Sequence, residues 1–160
     1  MVKLTAAATT SIPRIIIFAL TLVYGFAGLF ARDPWKNEDA IGFGGMWTLQ
    51  HGKALDWIVP HLAGRDISLG SPFPYWLGAT LMDLFGPLIG AANAARLYAA
   101  VCFFASALAI WYATYLLGRR QEVQPMVLAV GGQPGRKNYG MTLADGALLI
   151  FLACVGLAQR

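Results

Sequence analysis

Two adjacent carboxylates, Glu38 and Asp39, are the first residues of this chain whose types and position could do acid–base chemistry. Asn37 is a good N-cap and Gly52 suits a C-terminal stop, so the pattern predicts a helix over about 38–51 that opens with the acidic pair. Carboxylates there could ligate a divalent cation, or take a proton from a hydroxyl group that attacks a phosphate-linked carbon. The alternative is that they only complement the helix dipole.

Four side chains further along the chain are candidate substrate contacts. Arg65 is the best anion ligand, because a guanidinium group binds phosphate through two hydrogen bonds. His61 could also pair with phosphate, and an ordinary hydrogen-bonded histidine is the equally good alternative. Trp57 and Tyr75 could bind substrate, although their default role is in the aromatic belt of a membrane interface.

The composition indicates a membrane protein. The 160 residues are 58% apolar and 12% charged, with a mean hydropathy of +0.57, whereas a soluble domain has about 25% charged residues. The net charge of +4 does not indicate nucleic acid as a partner, because the basic residues flank apolar runs instead of forming a stripe. Cys102 and Cys154 lie in apolar runs without metal-binding spacing.

Three apolar runs predict three transmembrane helices, over 15–31, 94–117 and 141–158. The first would be about 25 Å long, near the lower limit for a spanning helix. A cleaved signal peptide is the competing interpretation of that run, disfavoured by its length and by the poor cleavage site Leu29-Phe30-Ala31. The third run contains Asp145 near its start and reaches almost to the end of the chain.

The distribution of charge predicts how the chain threads the membrane. The tail 1–14 has two basic residues and no acidic one, and the loop 118–140 has four basic residues and one acidic residue. The segment 32–93 has six acidic residues and four basic ones. By the positive-inside rule, the tail and the basic loop lie in the cytoplasm and the long first loop lies outside.

The segment 73–89 is apolar, yet we do not expect it to be a fourth span. Pro74 and Pro87 bracket it, Asp83 lies inside it, and the stretch between the prolines is too short to cross a bilayer. A charged residue at mid-membrane depth costs about 2.5–3.5 kcal/mol on insertion scales. A short helix at the interface fits better, with Asp83 satisfied by packing onto Arg96.

The helix predicted over 38–51 also has an apolar side, which indicates a helix lying along the membrane surface. The side chains that share this side at helical spacing are Phe43, Met46, Trp47 and Gln50. The long external loop is therefore expected to contain two juxtamembrane helices, over about 38–51 and 73–89.

Five motifs, in order after the first apolar run, resemble the N-terminal part of the C-superfamily (GT-C) glycosyltransferases of family 39 type. The resemblance is to the group that contains protein O-mannosyltransferases and the bacterial enzymes that move aminoarabinose onto lipid A. The motifs are Glu38-Asp39, Leu55-Asp56-Trp57-Ile58-Val59-Pro60-His61-Leu62, Pro72-Phe73-Pro74-Tyr75-Trp76-Leu77, Phe85-Gly86 and Ala94-Ala95-Arg96-Leu97.

The resemblance implies an all-α membrane fold and transfer of a sugar from a polyprenyl-phosphate carrier to a glycan, lipid or protein acceptor. The reaction would take place on the periplasmic or external face of the cell inner membrane. The catalytic residues would be Glu38 and Asp39, which would also be the ligands if a divalent cation takes part. The substrate-binding residues would be Trp57, His61, Arg65 and Tyr75.

Two departures from the family pattern concern specificity and length. Ile41-Gly42 and Leu69-Gly70 stand where the aminoarabinose enzymes have Arg-Tyr and Glu-Lys, so that specificity is not carried over and Arg65 is the substitute phosphate contact. Family members continue through many more spans, so the chain is expected to be a fragment and inactive in isolation. The rival hypothesis is a non-catalytic, small multi-pass membrane protein, such as an assembly or transporter subunit.

Overall fold

The computed structural model describes residues 13–27, 29–30, 37–59, 61–66, 71–124 and 135–158. These residues are mostly helical, which confirms the predicted all-α class. The α-helices among them are α1 (Arg14–Phe26), α2 (Asn37–His51), α3 (Phe73–Ile89), α4 (Ala91–Gly118) and α5 (Arg136–Ala158). The remaining elements are 3-10 helices at Ala54–Trp57 and Gln121–Val123 and a hairpin of β1 (His61–Leu62) and β2 (Arg65–Asp66).

Within the described part of the chain, α4 is the helix long and apolar enough to cross a membrane. It has 28 residues, and its most apolar window has a mean hydropathy of 1.8. At 1.5 Å per residue it measures about 42 Å, more than the hydrocarbon core of about 30 Å. The other two predicted spans are not confirmed, since α1 has 13 described residues, or about 20 Å, and α5 does not meet the same test over its described residues.

The chain folds as two compact units. The terminal unit comprises Met1–Gly25 and Phe103–Arg160, and the middle unit comprises Phe26–Cys102. The terminal unit therefore contains most of α1, the second part of α4 and α5. The middle unit contains α2, the hairpin, α3 and the first part of α4.

The core of the middle unit forms where α2 meets α3 and the start of α4. Its buried side chains include Met46 of α2, Met82 of α3, and Ala94 of α4. Gly78 lets the helices approach closely, because a Cβ atom there would overlap the sulfur of Met46. Leu49 of α2 is also buried, at 1% exposure.

This core gives the apolar side of α2 a role that the sequence analysis did not assign. That side was expected to rest on lipid, yet Met46 is 3% exposed and Phe43 packs against the same core. It is used for packing inside the protein, because the small residues Gly78 and Ala79 of α3 leave room for it. Trp47, at 44% exposure, remains on the surface.

Asp83 of α3 has a different partner from the one expected. Gln50 Nε2 of α2 donates a hydrogen bond of 2.7 Å to Asp83 Oδ1, in an exposed position. The carboxylate is thus satisfied by an amide at the surface of the middle unit, where water also reaches it.

Local backbone features fix how these elements connect. Gly90 is the single residue between α3 and α4, and its φ of 85° is in the region that favours glycine. The hairpin turns at Ala63 and Gly64, whose φ values are 52° and 75°, as a type I′ turn requires at both central positions. It pairs His61 with Asp66 and Leu62 with Arg65 in antiparallel register.

The core of the terminal unit joins three helices. Ile17 of α1, Ala107 of α4 and Leu148 of α5 are buried in one cluster. Near the end of α4, a Cβ atom on Gly118 would lie 2.9 Å from the Cα atom of Gly140 in α5, so the two backbones touch there. Small residues that allow such close approach are typical of helix pairs in membranes.

Candidate functional site

The acidic pair lies in the first turn of α2. Helix α2 begins at Asn37, so Glu38 and Asp39 occupy the positions where the amides and the positive end of the helix dipole stabilise carboxylates. The Asp39 side chain is exposed. The Glu38 side chain lies outside what the structure describes. The backbone thus shows that the two acids lie in the first turn of the helix, as predicted.

Tyr75 of α3 and Tyr98 of α4 both pack against the core of the middle unit. The Tyr98 phenol interacts electrostatically with Cys102, with the Asp39 carboxylate and with Tyr75. Phenol hydroxyls can donate or accept hydrogen bonds.

Tyr98 is a candidate site residue that the sequence analysis missed. The motif Ala94–Leu97 was taken to end one residue before it. Its spacing contained a usable signal, since Ala91, Ala94 and Tyr98 follow one another at three and four residues, which puts them on one side of α4. That side packs into the core where Tyr75 packs.

His61 belongs to a second group, at the other end of α2. Its Nδ1 atom lies 3.6 Å from Asp56 Oδ1, and the two side chains are 32% and 18% exposed. The second carboxylate oxygen of Asp56 accepts a 2.6 Å hydrogen bond from the Lys53 backbone N–H. That oxygen also lies against Gly52, and Gly52 is about 20 Å along the helix axis from Asp39.

Trp57 and Arg65 complete the set of predicted contacts. The Trp57 carbonyl accepts a 2.5 Å hydrogen bond from the indole N–H of Trp76, which ties the 3-10 helix to the start of α3. Trp57 itself is half-buried. Arg65 lies in β2, and its side chain lies outside the described residues. Of the four predicted substrate contacts, Tyr75 packs against the core of the middle unit and His61 lies beside Asp56.

The described side chains do not by themselves provide a donor set for a metal ion. Among them there is no group of three or more His, Cys, Asp or Glu that could hold one. Catalytic zinc sites usually have three protein ligands, whereas Mg²⁺ is usually held by one or two carboxylates together with substrate phosphates. Asp39 and the two tyrosines carry groups that suit proton transfer and hydrogen bonding.

No protein-family model, no curated protein and no solved structure matches the chain.

Proposed function

We propose that the chain is the N-terminal part of a membrane glycosyltransferase of the C-superfamily, close in type to family 39. It transfers a sugar from a polyprenyl-phosphate carrier to a glycan, lipid or protein acceptor on the external face of the cell inner membrane. The observation that supports the proposal is the electrostatic interaction of the Tyr98 phenol with Asp39, in the first turn of α2, and with Tyr75, which packs against the same core. A carboxylate can take a proton from an acceptor, and phenols can hydrogen-bond a sugar phosphate.

The reaction follows from these groups. An acceptor hydroxyl attacks the anomeric carbon, a new carbon–oxygen bond forms, and the bond to the carrier phosphate breaks. The electron pair leaves with polyprenyl phosphate, and the carboxylate of Glu38, with Asp39 beside it, accepts the hydroxyl proton. The phenols of Tyr75 and Tyr98 hydrogen-bond the phosphate and the sugar.

The proposed topology puts this chemistry outside the cell. The tail 1–14 and the loop 118–140 lie in the cytoplasm, and 32–93 lies outside, as the charge bias favours. Helix α4, long and apolar enough to cross the bilayer, supports a membrane location. The lipid tail of a polyprenyl carrier would then lie in the membrane that α4 crosses, with its headgroup at the level of the middle unit.

One observation favours the rival function, a non-catalytic membrane subunit. The predicted contacts are divided between the two ends of α2, since His61 pairs with Asp56 rather than with Asp39. In that case the acidic pair only stabilises the start of α2 and the aromatic residues are anchors.

Site-directed variants test the proposal in the product of the complete reading frame. Glu38→Gln and Asp39→Asn remove the charge while keeping the shape, and Asp83→Asn is the matched control because Asp83 is an exposed acid of the same unit. Transfer of radiolabel from a polyprenyl-phosphate sugar is measured in membranes, with insertion checked by protease protection. We expect Glu38→Gln to lower transfer about 100-fold or more, the usual range for a general base. Retained transfer in both variants would overturn the proposal.

A further inference from the structure

We propose that the segment 53–59 is a docking loop that inserts apolar side chains into the outer leaflet of the bilayer that α4 crosses. The loop holds three large apolar residues in exposed positions: Leu55 at 74%, Ile58 at 70% and Val59 at 49%. Side chains of this kind are stabilised when they leave water. A contiguous exposed apolar patch marks an interaction surface.

The loop has a fixed shape that keeps these side chains outward. It is a 3-10 helix closed by hydrogen bonds from Asp56 N to Lys53 O, at 2.9 Å, and from Ile58 N to Leu55 O, at 3.0 Å. The Asp56 carboxylate also accepts the Lys53 N–H. The outward position of Leu55 and Ile58 is therefore set by backbone and carboxylate hydrogen bonds.

The apolar surface of the loop continues onto α3. The indole of Trp76 donates to the Trp57 carbonyl, which joins the loop to the first turns of α3. The same side of α3 presents exposed apolar residues at helical spacing. They are Phe73 at 56%, Trp76 at 39%, Leu84 at 68% and Leu88 at 80% exposure.

The opposite face of α3 is already occupied by protein. Gly78, Ala79 and Met82 are buried there, against α2. A helix that packs one face on protein and presents a second apolar face needs an apolar environment for that face. Lipid is the occupant that fits, because α3 passes through the single residue Gly90 into α4, the helix long enough to span a membrane.

Polar groups at the base of the loop fit a lipid headgroup region. Lys53 is exposed, and His61 turns its Nδ1 atom toward Asp56. Trp57 and Trp76 are of the residue type that prefers the boundary between headgroups and acyl chains. The loop thus has an apolar tip and a polar base. This inference does not depend on the proposed transferase activity.

Spin labels in nanodiscs of phosphatidylcholine and phosphatidylglycerol test the proposal on the whole chain. In a background with Cys102→Ser and Cys154→Ser, cysteines carrying a nitroxide replace Leu55, Ile58 or Leu88, with Ser71→Cys as an exposed polar control in the same unit. Relaxation by oxygen, which concentrates in lipid, is compared with relaxation by a water-soluble nickel chelate. Monodisperse elution after labelling shows that each variant is folded.

The expected result is that oxygen relaxes the labels at 55, 58 and 88 more than nickel does, with the reverse ratio at position 71. Higher nickel than oxygen accessibility at 55 and 58 would overturn the proposal. Dipolar coupling between labels at 58 in two copies of the chain, with both reagents excluded, would also overturn it, because a second copy would then cover the patch.

Discussion

Asp145 of the terminal unit and two acids of the middle unit differ in burial. In the terminal unit, Asp145 is 5% exposed and its Oδ1 accepts a 2.8 Å hydrogen bond from the indole N–H of Trp111. In the middle unit, Asp39 and Asp83 are exposed to solvent, whereas Asp56 is 18% exposed and lies beside His61. A buried carboxylate with a donor on another helix holds the two helices together, whereas an exposed carboxylate is open to solvent.

The two units also differ in how tightly their helices approach. In the terminal unit, Gly118 and Gly140 put backbone against backbone, with 2.9 Å between a Cβ on Gly118 and the Cα of Gly140. In the middle unit, the neighbour of Gly78 is the end of the Met46 side chain. Backbone cannot move aside without shifting a helix, but a methionine can change rotamer. The terminal unit is therefore expected to tolerate added volume less well.

The largest expected effect is on the buried pair of the terminal unit. Trp111→Phe leaves the Asp145 carboxylate buried without its indole donor, which we expect to cost about 2–3 kcal/mol of unfolding free energy. Denaturant titration in detergent measures it, with Trp47→Phe as control because Trp47 is exposed. The double variant with Asp145→Leu should recover part of the loss, since replacing both partners with apolar groups is nearly neutral. A cost for Trp111→Phe no larger than that for Trp47→Phe would contradict the role of the pair.

Alanine substitutions at Gly118 and Gly78 test the two helix contacts in the same way, because each adds one methyl group. Gly118→Ala should destabilise the protein by about 1–3 kcal/mol, because backbone atoms must move apart. Gly78→Ala should cost less, since the Met46 side chain can shift and alanine is the better helix former. The same detergent titration gives both values. Equal costs, or a larger cost at Gly78, would show that Met46 does not act as a flexible neighbour.

The smallest expected effect is on the exposed hydrogen bond of the middle unit. Gln50→Met removes the donor to Asp83 but leaves that carboxylate in contact with water, so we expect a change within about 0.5 kcal/mol. The titration used for Trp111→Phe applies here as well. A loss as large as that of Trp111→Phe would mean that Asp83 is a structural acid like Asp145, and the contrast between the units would disappear.

Sequence patterns predicted the helices α2 and α3 of the middle unit but not its hairpin. The Asn37 cap and Gly52 predicted a helix near the observed Asn37–His51, and a helix was predicted over 73–89, where α3 is observed. Pro87, which was expected to bound that segment, instead lies inside α3. The sequence pattern did not show what the apolar side of α2 packs against, because Phe43 and Met46 have the same spacing whether they face lipid or α3. Their burial depends on Gly78, which lies far from them in sequence.

The candidate site was only partly predictable for a similar reason. Glu38, Asp39 and Tyr75 were named from residue type and motif. The spacing of Ala91, Ala94 and Tyr98 puts Tyr98 on the packed side of α4, but its interaction with Asp39 depends on how α4 packs, which that spacing does not describe. The Asp56–His61 pair is local and depends on how the chain leaves the 3-10 helix and enters β1. The sequence named both residues in one motif but did not give the distance between their side chains.

The most direct test is photo-crosslinking of a polyprenyl-phosphate sugar that carries a photoreactive group next to its phosphate. The protein in nanodiscs is irradiated, digested and analysed by mass spectrometry, with unlabelled polyprenyl-phosphate sugar as competitor. We predict labelling of the first turn of α2 and of Tyr75 or Tyr98, suppressed by the competitor and weakened by Glu38→Gln. Labelling confined to α1 or α5, or unaffected by the competitor, would contradict a sugar-phosphate site at the acidic end of α2.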